Sequence, residues 1–140
     1  MAIAKWIVTF VAVYCYGGLL YDAVIPSTAR MHLRNPRWPP HAKFHNGQTM
    51  LMGIFCGTFS LILLFGIHPL TLPWFLTATV VASLYWLGLV FAPFFPGTAW
   101  LDPEFADQVG RPLGLSPQQL VSYILLGLLA VAIALAFWIG

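Results

Sequence analysis

Four apolar runs of about 20 residues each restrict this chain to very few folds. They cover roughly residues 6–25, 48–67, 72–92 and 120–139. A helix of about 20 consecutive apolar residues crosses a bilayer core about 30 Å thick. None of the runs alternates apolar and polar residues with the period of two that membrane β-barrel strands show. The sequence therefore predicts an all-α fold, an integral membrane bundle of four transmembrane helices, with residues 1–140 forming one transmembrane domain.

The composition agrees with this prediction. Only 7% of the residues are charged and 60% are hydrophobic, whereas soluble domains carry about 25% charged residues. The lipid bilayer is therefore the first expected partner. Nucleic acid is not an expected partner, because the basic residues form no extended stripe. Cys15 and Cys56 lie inside apolar runs without CxxC spacing, so neither a disulfide nor a cofactor is expected.

Several residues mark where the helices begin. Pro39-Pro40 suits the first turn of the second helix, and Pro73 suits that of the third. Ser116 followed three residues later by Gln119 is typical of a capping box at the start of the fourth helix. In the third loop, residues 102–109 are predicted to form a short amphipathic helix. The first run lacks a clean A-x-A site and is expected to be a retained span.

The loops predict an orientation in the membrane. With four spans, the loops at residues 26–44 and 93–119 share one side, and that side carries five of the six Lys and Arg residues. Lys5 alone lies on the other side. Because basic loops are retained in the cytoplasm, both long loops are predicted to be cytoplasmic and both termini outside.

Polar side chains concentrate at this predicted cytoplasmic end. Asp22 lies late in the first run, where a carboxylate normally faces the bundle interior or a cation. At the start of the second helix, His41, His45, Gln48 and Met52 follow the spacing i, i+4, i+7 and i+11, which forms one face. We expect this face to point inward, because a polar stripe that enters a membrane is better buried among helices than exposed to lipid.

Three interpretations of this face remain open. It could be an acid/base site, with a histidine exchanging protons and Asp22 orienting it. It could hold a metal through the pair formed by His41 and His45, although four histidines are too few for the histidine boxes of membrane di-iron enzymes. It could also be structural, with the basic first loop and the acidic third loop cross-linking the end of the bundle. The basic and acidic residues of these loops are Arg30, Arg34, Arg37 and Lys43, and Asp102, Glu104 and Asp107.

The order of five features resembles the EXPERA superfamily, which includes emopamil-binding sterol isomerases and the sigma-2 receptor type. Asp22 and Pro26 match its carboxylate and proline at the end of the first helix. Pro39-Pro40, Phe44 and Gln48 match its second-helix start, with glutamine near a position where the family has a carboxylate. The string WPPHAKFH also looks like one found in small, uncharacterised four-span proteins.

This resemblance implies a cavity that binds a sterol-like ligand and, in enzymes, moves a double bond by proton transfer. We therefore predict a protein that binds a small hydrophobic ligand of isoprenoid or sterol type, and acts as an isomerase or cyclase if it is an enzyme. The predicted catalytic residues are His45, Asp22 and His41. The predicted ligand-binding residues are Gln48, Met52, Asn46, Trp38, Arg34, Arg37 and Asp102. The site is predicted without a metal.

A function of another class remains open. A small chain with short loops and few polar residues inside its spans also suits a non-catalytic accessory subunit of a larger membrane complex. A homodimer is a further possible assembly. A histidine-based metal site is the second alternative to the ligand-binding function.

Overall fold

The structure, a computed structural model, describes residues 1–139 and leaves out Gly140, the last residue of the predicted domain. Its described part is all-α and contains no strand. The helices are α1 (Ala2–Tyr14), α2 (Gly17–Leu19), α3 (Pro26–Ala29), α4 (Pro40–Gly66), α5 (Leu72–Phe91) and α6 (Pro117–Ile139). Four helical stretches are long and apolar enough to cross a membrane, namely Ala2–Val24, Pro40–Gly66, Leu72–Phe94 and Pro117–Trp138. The predicted all-α fold with four such helices is confirmed.

The four long helices pack in a ring in which α4 contacts α5, α5 contacts α6, and α1 contacts both α6 and α4. The core is narrow and contains many small residues. Val8, Leu64 and Phe75 are fully buried in it, together with alanines from α1, α5 and α6. Small residues let helix backbones approach, and close packing of this kind holds helices together where the surroundings are as apolar as the side chains.

α4 packs tightly against the first helical stretch at Gly53 and Gly57, which are four residues apart on one face. A Cβ atom at Gly53 would lie 2.6 Å from the carbonyl oxygen of Cys15, and one at Gly57 would overlap the carbonyl oxygen of Ala12. No residue with a side chain fits at these two positions without moving the helices apart. This contact fixes which face of α4 points into the bundle.

The first long apolar stretch, Ala2–Val24, ends in a π-helical turn, Leu20–Val24, that contains Asp22. The backbone N–H of Ile25 donates to the carbonyl oxygen of Leu20 at 2.8 Å, an i to i+5 hydrogen bond. Turns of this kind inside helices are rare and occur frequently at functional sites. Pro26 then begins α3, after which the backbone N–H of Leu33 donates to the carbonyl oxygen of Asp22 at 3.3 Å, so the chain returns to the π-helical turn.

The predicted helix starts at Pro40 and Pro73 are confirmed. α4 begins at Pro40, eight residues before the apolar run, and Pro73 lies in the first turn of α5. Ser116 caps α6, because its Oγ accepts a hydrogen bond from the backbone N–H of Gln119 at 3.1 Å. The side chain of Gln119 bonds instead to the hydroxyl of Tyr123 at 3.2 Å. The reciprocal half of the capping box is therefore absent within the described residues.

The predicted amphipathic helix at residues 102–109 is wrong. This segment forms a single 3₁₀ turn, Pro103–Phe105, followed by turns. Its backbone N–H groups bond to carbonyls three residues back, as Phe105 does to Asp102 at 3.0 Å. Starting an α-helix orders several residues for a single hydrogen bond, which is unfavourable in free energy. Gly110 and Pro112 end the segment before enough further hydrogen bonds can form to offset that cost. Burial of the Phe105 side chain holds the segment on the bundle instead.

The two long loops meet at one end of the bundle. The Arg37 guanidinium pairs with the Glu104 carboxylate at 2.5 Å, and Asn35 Nδ2 donates to the other oxygen of that carboxylate at 3.4 Å. One of the predicted pairs between the basic first loop and the acidic third loop, Arg37 with Glu104, is thus present. It closes the end of the bundle at which Asp22 lies.

Candidate functional site

A cavity of about 430 Å³ lies at this end of the bundle, between the end of the first span, the end of α5 and the start of α6. Residues of both long loops complete its wall. Seven of the lining side chains are aromatic: Tyr14, Tyr21, Trp38, Tyr85, Trp86, Trp100 and Phe105. The volume lies within the range of about 300–1,000 Å³ that is usual for small-molecule sites.

The carboxylate of Asp22 lies in the cavity wall and has two partners. Its Oδ2 accepts a hydrogen bond from Asn46 Nδ2 on α4 at 2.8 Å. Its Oδ1 lies 3.5 Å from Nδ1 of His32, which also lines the cavity. A carboxylate has about four acceptor positions, so Asp22 can still accept a hydrogen bond from a ligand.

His32 has a defined tautomer. Its Nδ1 lies 3.0 Å from the carbonyl oxygen of Thr28, and a carbonyl oxygen can only accept, so Nδ1 carries the proton. Asp22 lies on the same side of the ring and supports the same tautomer. Nε2 of neutral His32 is then the nitrogen with the lone pair, and it forms no hydrogen bond within residues 1–139. A histidine oriented through Nδ1 by a carbonyl and a carboxylate is suited to accept or return a proton at Nε2.

Tyr85 adds a hydroxyl to the same cavity. Its oxygen lies so near Gly18 that a Cβ atom there would be 2.5 Å away, so a side chain at that position would displace the hydroxyl. The hydroxyl forms no hydrogen bond to another described residue, so it can donate to a ligand. The cavity thus combines a carboxylate, an imidazole and a phenol with a largely aromatic wall.

The expected inward orientation of the His41, His45, Gln48 and Met52 face is wrong. All four side chains are exposed, and Met52 is 49% exposed. The buried face of α4 includes Met50, Gly53, Cys56, Gly57, Ser60 and Leu64. The spacing of the polar stripe was helical, but close packing at the two glycines turns a neighbouring face inward. The four-residue spacing of Gly53 and Gly57 was the signal in the sequence that could have identified the inner face.

The other predicted site residues divide into three groups. Trp38 and Asp102 line the cavity together with Asp22. Asn46 does not line it, but donates to Asp22. Arg34 and Arg37 are exposed and do not line it.

Sequence reasoning missed His32, Tyr85 and Gln118, which all line the cavity. His32 carried no usable signal, because it bonds to Thr28 through the backbone carbonyl, a group that every residue has. No local pattern distinguished Tyr85 or Gln118, because each is brought to the cavity by packing of distant helices.

The described residues contain no group of three or more His, Cys, Asp or Glu side chains that could hold a metal ion. The histidine metal alternative therefore gains no support as a site with a full set of protein ligands.

The comparisons with known proteins give a family but no activity. No curated protein and no solved structure matches the chain. One family model matches residues 7–137, and its description is a family of unknown function, DUF6640. The resemblance to the EXPERA superfamily stays a prediction, since the matched family model is a different one. Because the match covers nearly all of the sequence, including every residue that lines the cavity, the chain belongs to the DUF6640 family.

Proposed function

We propose that this protein is a multi-pass membrane protein that binds a small, mostly apolar ligand in the cavity at the end of its four-helix bundle. The outer surface of the long helices supports membrane embedding, because large apolar side chains are exposed along each of them. Examples are Phe10, Phe55, Phe59, Leu84, Ile124 and Phe137. Such surfaces are unusual on a soluble monomer and normal against lipid.

The chemistry of the cavity supports the ligand class. An aromatic wall favours an apolar body, while a few polar groups placed together select one polar substituent. Asp22 and Asp102 both line the cavity, and no Lys or Arg of the described chain does. The matching substituent is therefore a hydrogen-bond donor, such as the hydroxyl of an isoprenoid or sterol-like alcohol.

The observation that carries this proposal is the position of Asp22. A carboxylate inside an apolar span is costly, and such residues usually mark a functional site. Asn46 donates a hydrogen bond to Asp22, and Nδ1 of His32 lies 3.5 Å from it, but no Lys or Arg of the described residues pairs with this carboxylate. A ligand that donates a hydrogen bond to Asp22 would fill an acceptor position that the carboxylate still has free.

Proton transfer is a second candidate function of the same cavity. It is favoured by the His32 tautomer, which leaves the Nε2 lone pair free. In this account His32 exchanges a proton with the bound ligand and Asp22 keeps the imidazole oriented. An acid/base isomerisation or cyclisation would use His32 in the role that the sequence suggested for His45.

The test is to purify the protein alone in detergent and identify co-purifying lipids by mass spectrometry. Val121 on α6 lines the cavity, so Val121→Trp should fill it and remove the ligand. Val131 lies on the same helix with its side chain 50% exposed, so Val131→Trp is the matched control and should retain the ligand.

Each outcome separates the proposal from its rival. One defined compound bound to the wild type and to Val131→Trp, but not to Val121→Trp, supports ligand binding. A monodisperse protein that carries only the bulk detergent and lipid mixture contradicts it. A protein that aggregates unless other subunits are present favours the accessory-subunit function instead.

A further inference from the structure

His41 and His45 form a cluster outside the cavity, on the exposed face of the first two turns of α4. Their Nε2 atoms lie 3.0 Å apart. Both side chains are exposed, and neither residue lines the cavity. The pair is therefore accessible to a solute independently of the ligand site.

Gln48 orients one of the two rings. Nδ1 of His45 lies 3.1 Å from Oε1 of Gln48, one turn further along the helix. Because an amide oxygen only accepts, Nδ1 carries the proton and Nε2 carries the lone pair. Metal-binding histidines are typically held in this way, with one ring nitrogen donating to an oxygen and the other bound to the ion.

The distance between the two Nε2 atoms sets the angle that they would form at a bound metal ion. With metal–nitrogen bonds of about 2.05 Å, nitrogens 3.0 Å apart subtend an angle of about 94° at the ion. That angle matches adjacent positions of a square-planar or octahedral ion.

From this geometry we propose that His41 and His45 form a two-ligand site for a divalent transition ion that prefers tetragonal coordination, with Cu²⁺ preferred to Ni²⁺ and Zn²⁺. Imidazole nitrogens suit these ions, and Cu²⁺ binds most tightly of the divalent first-row series. Both rings coordinate through Nε2, and Gln48 is a positioning residue that holds His45. Water occupies the remaining positions of the ion.

The site requires one change from the metal-free arrangement. Without metal, His41 donates its Nε2 proton to Nε2 of His45. Binding transfers that proton to Nδ1 of His41 through solvent, so the neutral ring presents its lone pair to the ion. No net charge is lost from the protein, and the rings need to rotate only enough to aim both lone pairs at one point.

The test is a Cu²⁺ titration of the full-length protein, purified without a histidine tag, followed by electron paramagnetic resonance. His41→Ala and His45→Ala should each weaken Cu²⁺ binding at least tenfold and change the nitrogen hyperfine pattern. His68→Ala is the matched control, since His68 is also exposed but lies beyond the other end of α4. Gln48→Leu should weaken binding by about tenfold, as loss of a partner behind a metal-binding histidine commonly does.

The proposal is overturned if His41→Ala and His45→Ala bind Cu²⁺ as tightly as the wild type, or if His68→Ala alone removes the signal. Tighter binding of Zn²⁺ than of Cu²⁺ would overturn the assigned geometry. These variants lie on an exposed face, so circular dichroism and gel filtration should show unchanged folding.

Discussion

The side-chain amide of Asn46 donates a hydrogen bond to the carboxylate of Asp22, with 2.8 Å between Nδ2 and Oδ2. This bond joins the π-helical end of the first span to α4. Oδ1 of the same Asn46 is buried without a hydrogen-bond partner among the described residues. One polar atom of the amide thus stays unsatisfied while the other donates to the carboxylate. A hydrogen bond to an ionised group is about twice as strong as one between neutral groups, which offsets the unsatisfied atom.

Replacement of Asn46 by Leu should destabilise the protein. The substitution removes the donor to Asp22 and leaves part of a carboxylate unsatisfied in an apolar setting, which costs about 1–3 kcal/mol. Thermal unfolding in detergent, followed by circular dichroism, measures the change. Gln48→Leu is the control, because Gln48 is exposed on the same helix and should change stability little. Equal stability of both variants would contradict a supporting role for Asn46.

The glycine contact between α1 and α4 gives a second prediction. Gly57→Ala should destabilise the bundle, because the added Cβ overlaps the carbonyl oxygen of Ala12 and the helices must separate. A core clash of this kind typically costs about 1–3 kcal/mol. Unfolding in a denaturing detergent series measures the loss.

The matched control for this variant is Gly88→Ala. Gly88 lies on α5, and an added Cβ there would meet nothing within 4 Å. Since alanine is favoured over glycine in a helix by about 1 kcal/mol, this control should be neutral or slightly stabilising. If Gly57→Ala were also neutral, α1 and α4 would not be in close contact.

The loop pair formed by Arg37 and Glu104 should affect ligand exchange more than stability. The Arg37 side chain is 67% exposed, so an ion pair with it contributes little to folding. Yet Glu104 ties the first loop to the third, and these loops complete the cavity wall. Glu104→Ala should therefore speed ligand dissociation while the unfolding temperature stays nearly constant.

Stopped-flow displacement of the ligand found in the purified protein measures that rate. Asp107→Ala, an exposed carboxylate of the same loop that does not line the cavity, is the control. Dissociation that is equally fast in Glu104→Ala and the wild type would mean that the loops do not limit exchange.

His32→Gln should separate binding from proton transfer. The glutamine can still donate a hydrogen bond, so ligand affinity should fall by less than about tenfold, whereas proton exchange at Nε2 is lost. Incorporation of deuterium from solvent into the bound ligand measures that exchange. Undiminished incorporation in His32→Gln would remove His32 from the proton-transfer account, although ligand binding could persist.

Much of the fold could be predicted from the sequence because its signals are local. Hydropathy identified four helices, and Pro40 and Ser116 marked the starts of α4 and α6. The inward face of α4 could not be read from polar spacing, because a helical period shows which residues share a face and not which face points inward. Contact at Gly53 with the Cys15 carbonyl decides which face does, and that contact is a property of two helices together.

The candidate site was only partly predictable for a related reason. Asp22 was recognisable alone, since a carboxylate in an apolar run is rare. His32 was not, because it reaches Asp22 only after a π-helical turn and α3 reverse the chain between them. Tyr85 arrives from α5, a helix whose sequence carries no comparable polar signal.

The affinity of Asp22→Asn for the ligand found in the purified protein measures directly whether Asp22 holds that ligand. Trp38, Trp86 and Trp100 line the cavity, so quenching of tryptophan fluorescence can report binding. We expect at least tenfold weaker binding by Asp22→Asn, and unchanged binding by Asp107→Asn. Equal affinity of Asp22→Asn and the wild type would contradict the claim that Asp22 holds the polar group of a ligand in this cavity.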